Sequence, residues 1–274
     1  MVDTAAAARR RRRDGSRVTL LICRGSAVAF ATAVFLWASV TIPILANWTA
    51  VATTAEQILQ GHPFRPEALR GLLAEPATPR LLRGEISAVL PQRSSHLRDR
   101  AILAMALAEG EVTRGDEAAL KVALPKLQSE TVAALSSQPA DAFLWLMLYW
   151  AKSGSGGVNS HSLPFLERSY ELGANEGWIA LRRLRLSLSA WPVLSPDLQT
   201  RAIAEFRGLV GSGFEMAAAE IAAGADPRIR PRLIAAVDGL SENRRRNLAD
   251  NLVRQGVLDL DVPGIARAEA RPWM

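Results

Sequence analysis

Between Arg24 and Glu56 the chain carries no charged side chain. Within that window Ser26 to Ala46 reads SAVAFATAVFLWASVTIPILA, 21 residues. A helix rises about 1.5 Å per residue, so this stretch matches a hydrocarbon core of about 30 Å. It predicts a single transmembrane helix over 26–46. Trp48 follows where an interfacial aromatic anchor is expected. Pro43, near the outer end, is expected to kink or end the helix.

From Glu56 onward the pattern changes to apolar positions at helical spacing, broken by Gly, Pro, Ser and Asn. Leu258, Leu260 and Val262 alternate with Asp259 and Asp261, but that run is short and ends at Pro263. The spacing predicts helices near 56–61, 66–74, 79–90, 95–110, 116–136, 140–152, 163–172, 175–190, 196–210, 214–223, 229–239 and 242–255. Thr78-Pro79 and Ser195-Pro196 each put a capping hydroxyl before a proline whose fixed φ suits a first helical residue. Ser241 is placed to cap the helix beginning at Glu242. Gly110, Gly173, Gly224 and Gly256 follow apolar-periodic runs and read as stops. Pro125 should bend or split the fifth of these helices. Phe143 to Trp150 (FLWLMLYW) is apolar on every side but too short to span a bilayer, so it belongs in the centre of a domain.

Composition agrees with helices. Ala, Leu and Arg dominate, and aromatic residues make up only 6%, which favours high helix propensity over strand. The net charge of +6 matters for where it sits. Residues 1–55 hold seven arginines, Arg9, Arg10, Arg11, Arg12, Arg13, Arg17 and Arg24, against Asp3 and Asp14; the rest of the chain is nearly balanced. A nucleic-acid-binding domain needs a basic face that tracks phosphates, so nucleic acid is not an expected partner. A basic cluster before an apolar span instead orients it, placing the N-terminus in the cytoplasm and the remainder outside. These arginines can also hold anionic lipid headgroups.

The resulting expectation is a basic cytoplasmic tail over 1–25, the span over 26–46 and an exported all-helical domain over 47–274. The rival is a cleaved signal peptide, because Ala50-Val51-Ala52 fits the small-x-small cleavage pattern. A signal core is usually about 7–15 residues, shorter than this one, so an uncleaved anchor is the preferred reading. One cysteine, Cys23, permits no disulfide within the chain.

A weak repeat runs through the helical part. Pro139-Ala140-Asp141 opens one helix and Ala174-Asn175-Glu176 opens another 35 residues later, with Leu163 to Leu172 between them. Helix, turn, helix at about 34 residues is the tetratricopeptide period. Residues 95–210 resemble a degenerate tetratricopeptide-like array, with Ala151, Ala180 and Ala202 at small positions and the Trp-Leu-Gly-Tyr signature absent as a unit. The resemblance implies an all-α helix-turn-helix solenoid whose inner helices bind partners. Ser169 to Trp191 (SYELGANEGWIALRRLRLSLSAW) resembles small membrane-anchored proteins of α-proteobacteria that accompany exopolysaccharide or O-antigen assembly genes. That implies an inner-membrane protein with its helical domain in the periplasm, acting as a scaffold for protein partners. A carbohydrate-binding or carbohydrate-acting accessory of the same pathway is the alternative it leaves open.

Candidate chemistry is sparse. His62, His96 and His161 are far apart and lack the ligand spacing a metal site needs. His96 has Asp99 and Arg100 close by, which predicts a local hydrogen bond or ion pair. Gly154-Ser155-Gly156-Gly157 lacks the Gly-Lys-Ser/Thr ending and preceding strand of a phosphate loop, and reads as a flexible linker. Ser160-His161-Ser162 lacks the context of a nucleophile elbow. No catalytic residue, cofactor or metal is therefore expected. The remaining candidate is an interaction face of Trp178, Arg182, Arg183 and Arg185, which could grip acidic peptides or anionic sugars. Against it stands a solvated helix face, with Glu176 and Glu205 as ordinary ion-pair partners. Arg244-Arg245-Arg246 reads the same way, with Glu242 and Asp250 at hand.

Overall fold

The computed structural model describes residues 3–74, 93–156, 161–174 and 176–266, with side chains from residue 26 onward except at 40, 44, 93, 155 and 156. The described part is helical. In chain order, α1 spans Asp3–Leu59, α2 Pro66–Leu73, α3 Arg93–Arg114, α4 Glu117–Leu135 and α5 Ala142–Gly156. Then come α6 Leu163–Leu172, α7 Gly177–Ser189, a 3-10 turn Trp191–Val193, α8 Pro196–Gly211, α9 Glu215–Gly224, α10 Arg230–Ala235 and α11 Glu242–Arg254. The helix expected over 79–90, the Thr78-Pro79 start signal and Ser160 lie outside the described residues.

One described helix, α1, is long and apolar enough to cross a membrane over Ser26–Leu59. The domain boundary drawn at residue 46 falls inside this helix, and the short helix expected at 56–61 is simply its end. Pro43 does not stop it. In the turn before this proline, Ser39 donates to the Leu36 carbonyl at 2.8 Å and Thr41 to the Trp37 carbonyl at 2.8 Å. In an apolar setting a helix that keeps its backbone groups paired is strongly favoured over a break.

Past residue 46, α1 enters the core directly. Val51, Ala55 and Ile58 are buried and join the apolar face of α3, Ala101 to Met105. Trp48 is half-buried and stacks on His96 of α3, ring centroids 4.5 Å apart. Its ring is therefore committed to the domain, and it does not stand free as a lipid anchor. His96 packs on Trp48, while Arg100 turns away to hold Glu130 through two nitrogens at 2.9 and 2.7 Å. Of the local hydrogen bond or ion pair expected at His96, with Asp99 and Arg100 close by, Nδ1 of His96 takes no part in any: it is buried without a hydrogen-bond partner among the described residues.

Consecutive helices pack side by side from α3 to α6, and α7 packs on α8. Alternate helices also touch: α3 meets α5, α5 meets α7, and α7 meets α9. Starts and stops follow the expected chemistry in part. Ser195 caps α8, accepting from the Leu198 amide at 3.2 Å, and Asp116 caps α4, accepting from the Ala119 amide at 2.9 Å. Ser241 occupies the cap position of α11 without a side-chain bond.

Gly110 does not end α3. The helix runs on to Arg114 because Glu111, only 2% exposed, is held by Arg70 at 2.9 Å and Arg114 at 2.8 Å. The turn comes at Gly115, whose φ of +69° suits glycine. Likewise α5 continues through the Gly-Ser-Gly stretch read as a linker. At Gly154 an added Cβ would lie 3.1 Å from a Leu124 methyl, so glycine lets the far end of α5 close on α4. Pro125 sits inside an unbroken α4.

Candidate interaction groove

The four residues of the expected interaction face do not share a face. Arg183 is fully buried. Both its Nε and Nη2 donate to Glu205 Oε1, Nη1 donates to the Ser169 carbonyl at 2.6 Å, and Nη2 donates to the Gly173 carbonyl at 2.8 Å. Its guanidinium lies 4.3 Å from the Tyr170 ring centroid. Tyr170 in turn donates its hydroxyl to Glu205 at 3.0 Å. Burial pushes the Glu205 carboxyl above its ordinary pKa, opposed by Arg183 and Tyr170. This network ties α6, α7 and α8 together and is unavailable to a partner. Glu205 was the correct ion-pair partner to expect for this arginine run; Glu176 was not.

Arg182 and Arg185 do reach the surface. Helical geometry separates them from Arg183: at 100° per residue they lie about 60° apart, while Arg183 lies on the stripe of Ala180, Leu184, Ser187 and Leu188, all buried. That stripe was present in the sequence and is the signal that would have placed Arg183 inside.

Between α3, α5 and α7 lies a cleft of about 290 Å³, floored by Met105, Phe143, Met147 and Trp150 and rimmed by Arg182 and Arg185. Arg182 pairs with Glu109 at 2.9 Å and sits 5.8 Å over the Phe143 ring. Arg185 reaches Glu220 of α9 at 3.5 Å. A second cleft of about 670 Å³ shares Arg185 and continues past Trp191 and Glu220 to Arg228 and Arg232. Arg232 lies 5.6 Å from the Trp191 ring centroid. The two clefts therefore meet at Arg185 along α7.

The groove's chemistry suits binding. Trp150 is partly exposed, whereas Met105, Phe143 and Met147 beneath it are almost wholly buried, so an approaching surface meets Trp150 and the arginines first. Both rim pairs are about half exposed, and such pairs contribute about 0–1 kcal/mol. An incoming carboxylate can thus replace Glu109 or Glu220 at small cost. Met105, Glu109, Met147 and Trp150 were not anticipated, because they come from helices distant in sequence from Arg182.

Trp178, 42% exposed, lies on the same face of α7 as Arg182 and Arg185, beyond the end of this groove. Its ring meets Phe143 at 4.7 Å on one side, and it lines a separate cleft of about 740 Å³ with Phe214. Arg246 pairs with Glu242 and Arg244 with Glu215; Asp250 takes no part in either pair. Among the described residues, no three His, Cys, Asp or Glu side chains come together in a way that could hold a metal ion. No family model matches the chain, and no curated protein or solved structure matches it at a significant level.

Proposed function

We propose that this protein is a membrane-anchored scaffold that binds partner proteins through the groove of α3, α5, α7 and α9. The single observation carrying this reading is the pair of clefts that meet at Arg185, where Arg182 and Arg185 are held only by weak, exposed pairs beside the partly exposed Trp150. The partner it fits is a segment with an apolar side chain for Trp150 and carboxylates for Arg182 and Arg185. Successive contacts of alternate helices support a tetratricopeptide-like arrangement, in which inner helices line a concave binding surface. The positive charge before α1 supports a cytoplasmic N-terminus and a periplasmic domain at a bacterial inner membrane. The resemblance of Ser169 to Trp191 supports a setting in surface polysaccharide assembly or export.

The test is crosslinking in intact cells, purification in mild detergent and mass spectrometry of captured proteins. The scaffold reading expects defined membrane-associated partners, lost on Arg182→Glu with Arg185→Glu and retained with Arg168→Glu, an exposed arginine outside the groove. Retention of glycan with no captured protein would sink the scaffold and favour the carbohydrate-binding alternative.

A further inference from the structure

We propose that one end of the helical domain makes a second contact with the lipid surface, through Trp178, Phe214 and Met216. This rests on reading α1 as a membrane span. The geometry comes from a series of close contacts that crosses a single end of the domain. Trp48, just past the apolar segment, stacks on His96 in the first turn of α3. Two residues along, Arg98 pairs at 2.7 Å with Asp141, immediately before α5. Gly173, immediately after α6, lies so near the start of α5 that an added Cβ would fall 2.6 Å from the Ala142 Cβ. Gly177 opens α7 with the Phe214 ring 3.3 Å from its own Cβ position, and Gly213 lies 3.0 Å from Arg244 in the first turn of α11 by the same measure. Thus α3, α5, α7 and α11 begin at this end, and α6 and α8 finish there.

The other end is fixed independently. Gly154, near the finish of α5, packs on Leu124 in the first half of α4. Helix directions therefore alternate, and the end bearing Trp48 is the one from which α1 leaves the domain.

Because α1 is unbroken from the apolar segment into the core, this end is held against the bilayer. Five residues separate Ala46 from buried Val51, a rise of about 8 Å. The turns at this level expose large apolar groups: Trp178 is 42% exposed, Phe214 40% and Met216 64%. Trp178 and Phe214 flank one shallow cleft floored by Gly177, Ala204 and Gly208. Aromatic side chains of this kind are enriched at the headgroup level of membranes, where an apolar body is buried and the rim stays wet. The partner is the phospholipid interface, identified by continuity with the span.

The test uses the full chain in phosphatidylethanolamine–phosphatidylglycerol vesicles, with Cys23→Ser removing the native thiol. Single cysteines are introduced as Val34→Cys, Val122→Cys, Phe214→Cys or Met216→Cys. Each carries an environment-sensitive fluorophore, read by quenching from nitroxide lipids. Val34 lies in the span and Val122 in the first half of α4, at the far end. The expected result is strong quenching at 34 and at least threefold more quenching at 214 and 216 than at 122. Quenching at 34, with 214 and 216 no more quenched than 122, overturns the lipid contact and leaves the span intact. No quenching at 34 overturns the span reading and this inference with it. A blue shift at 214 and 216 without lipid quenching assigns the surface to a second copy of the chain and also overturns it. Met216→Cys replaces a largely exposed side chain, so its result stands even where Phe214→Cys disturbs the fold.

Discussion

Replacing Arg183 with Met removes the cation at the centre of the α6–α7–α8 contact while keeping a side chain of similar length. The structure sets the scale of the effect. The Glu205 side chain is 4% exposed and would lose both guanidinium hydrogen bonds, while the Ser169 and Gly173 carbonyls would lose their donor. Breaking a buried pair by removing one partner costs about 3–5 kcal/mol. For a domain of this size 1 kcal/mol moves Tm by about 2–4 °C, so Arg183→Met should lower Tm by about 6–20 °C. Near-UV circular dichroism of the full chain in detergent follows tertiary packing without the signal of α1's helix. The double change Arg183→Met with Glu205→Leu removes the stranded carboxylate, and such apolar replacements are often near neutral. It should therefore be more stable than Arg183→Met alone. A single-variant shift below about 2 °C, or a double variant as unstable as the sum of the two single changes, would refute the account of the network.

Glu130 is held below its ordinary pKa: burial pushes it up, but hydrogen bonds and charge from Arg100 and Lys126 outweigh that. The stability it contributes is present above about pH 4.5 and lost as pH falls through its folded value, and Glu130→Gln should flatten that part of a pH–Tm profile. His96 is lowered to about 4 from 6.5, by burial first and then by Arg100. The unfolded chain takes up this proton near pH 6.5 and the folded chain only near 4, so stability should fall as pH drops through that window, by about 1–2 kcal/mol once solvent screening of the partly exposed ring is allowed for. His96→Phe should keep the stack on Trp48 and remove this slope; an unchanged slope refutes the assignment. Gly173→Ala should destabilise by about 1–3 kcal/mol through the clash with Ala142, visible as a lowered denaturant midpoint.

Helices were legible in this sequence because Ala, Leu and Arg carry propensity and period together. Their ends were less so, because packing decided them. At Gly110 the local signal said stop, but the buried carboxylate of Glu111 and its two arginines hold the chain helical for another turn. At Gly154 the local signal said linker, while the contact with Leu124 needed the absence of a side chain inside a helix. Within the candidate site, Arg182 and Arg185 belong to the surface and Arg183 to the core. That division follows from a 100° rotation per residue and was legible. The floor of the groove was not, since Met105 and Met147 meet Arg182 only after three helices have folded against one another.

The continuity of α1 also bears on whether the N-terminal segment is removed. Cleavage after Ala52 would take away Trp48, which stacks on His96, and Val51, which is wholly buried against the α3 face. Val51 alone carries about 1.5–3 kcal/mol of burial, and the new terminus would place a charged amine within two residues of Thr54 and Ala55, both buried. A signal sequence is ordinarily dispensable to the domain behind it. Here the residues on both sides of the potential cut belong to one helix and one core, so cleavage there would remove part of the domain's own packing. The same continuity fixes orientation as well as distance. Under the proposed membrane-anchored reading, a flexible tether would let the domain sample all directions, whereas a helix shared between span and core would present the α7 groove at one height and one bearing. Under that reading, effective concentration would rise only for partners held in the same membrane with a matching reach.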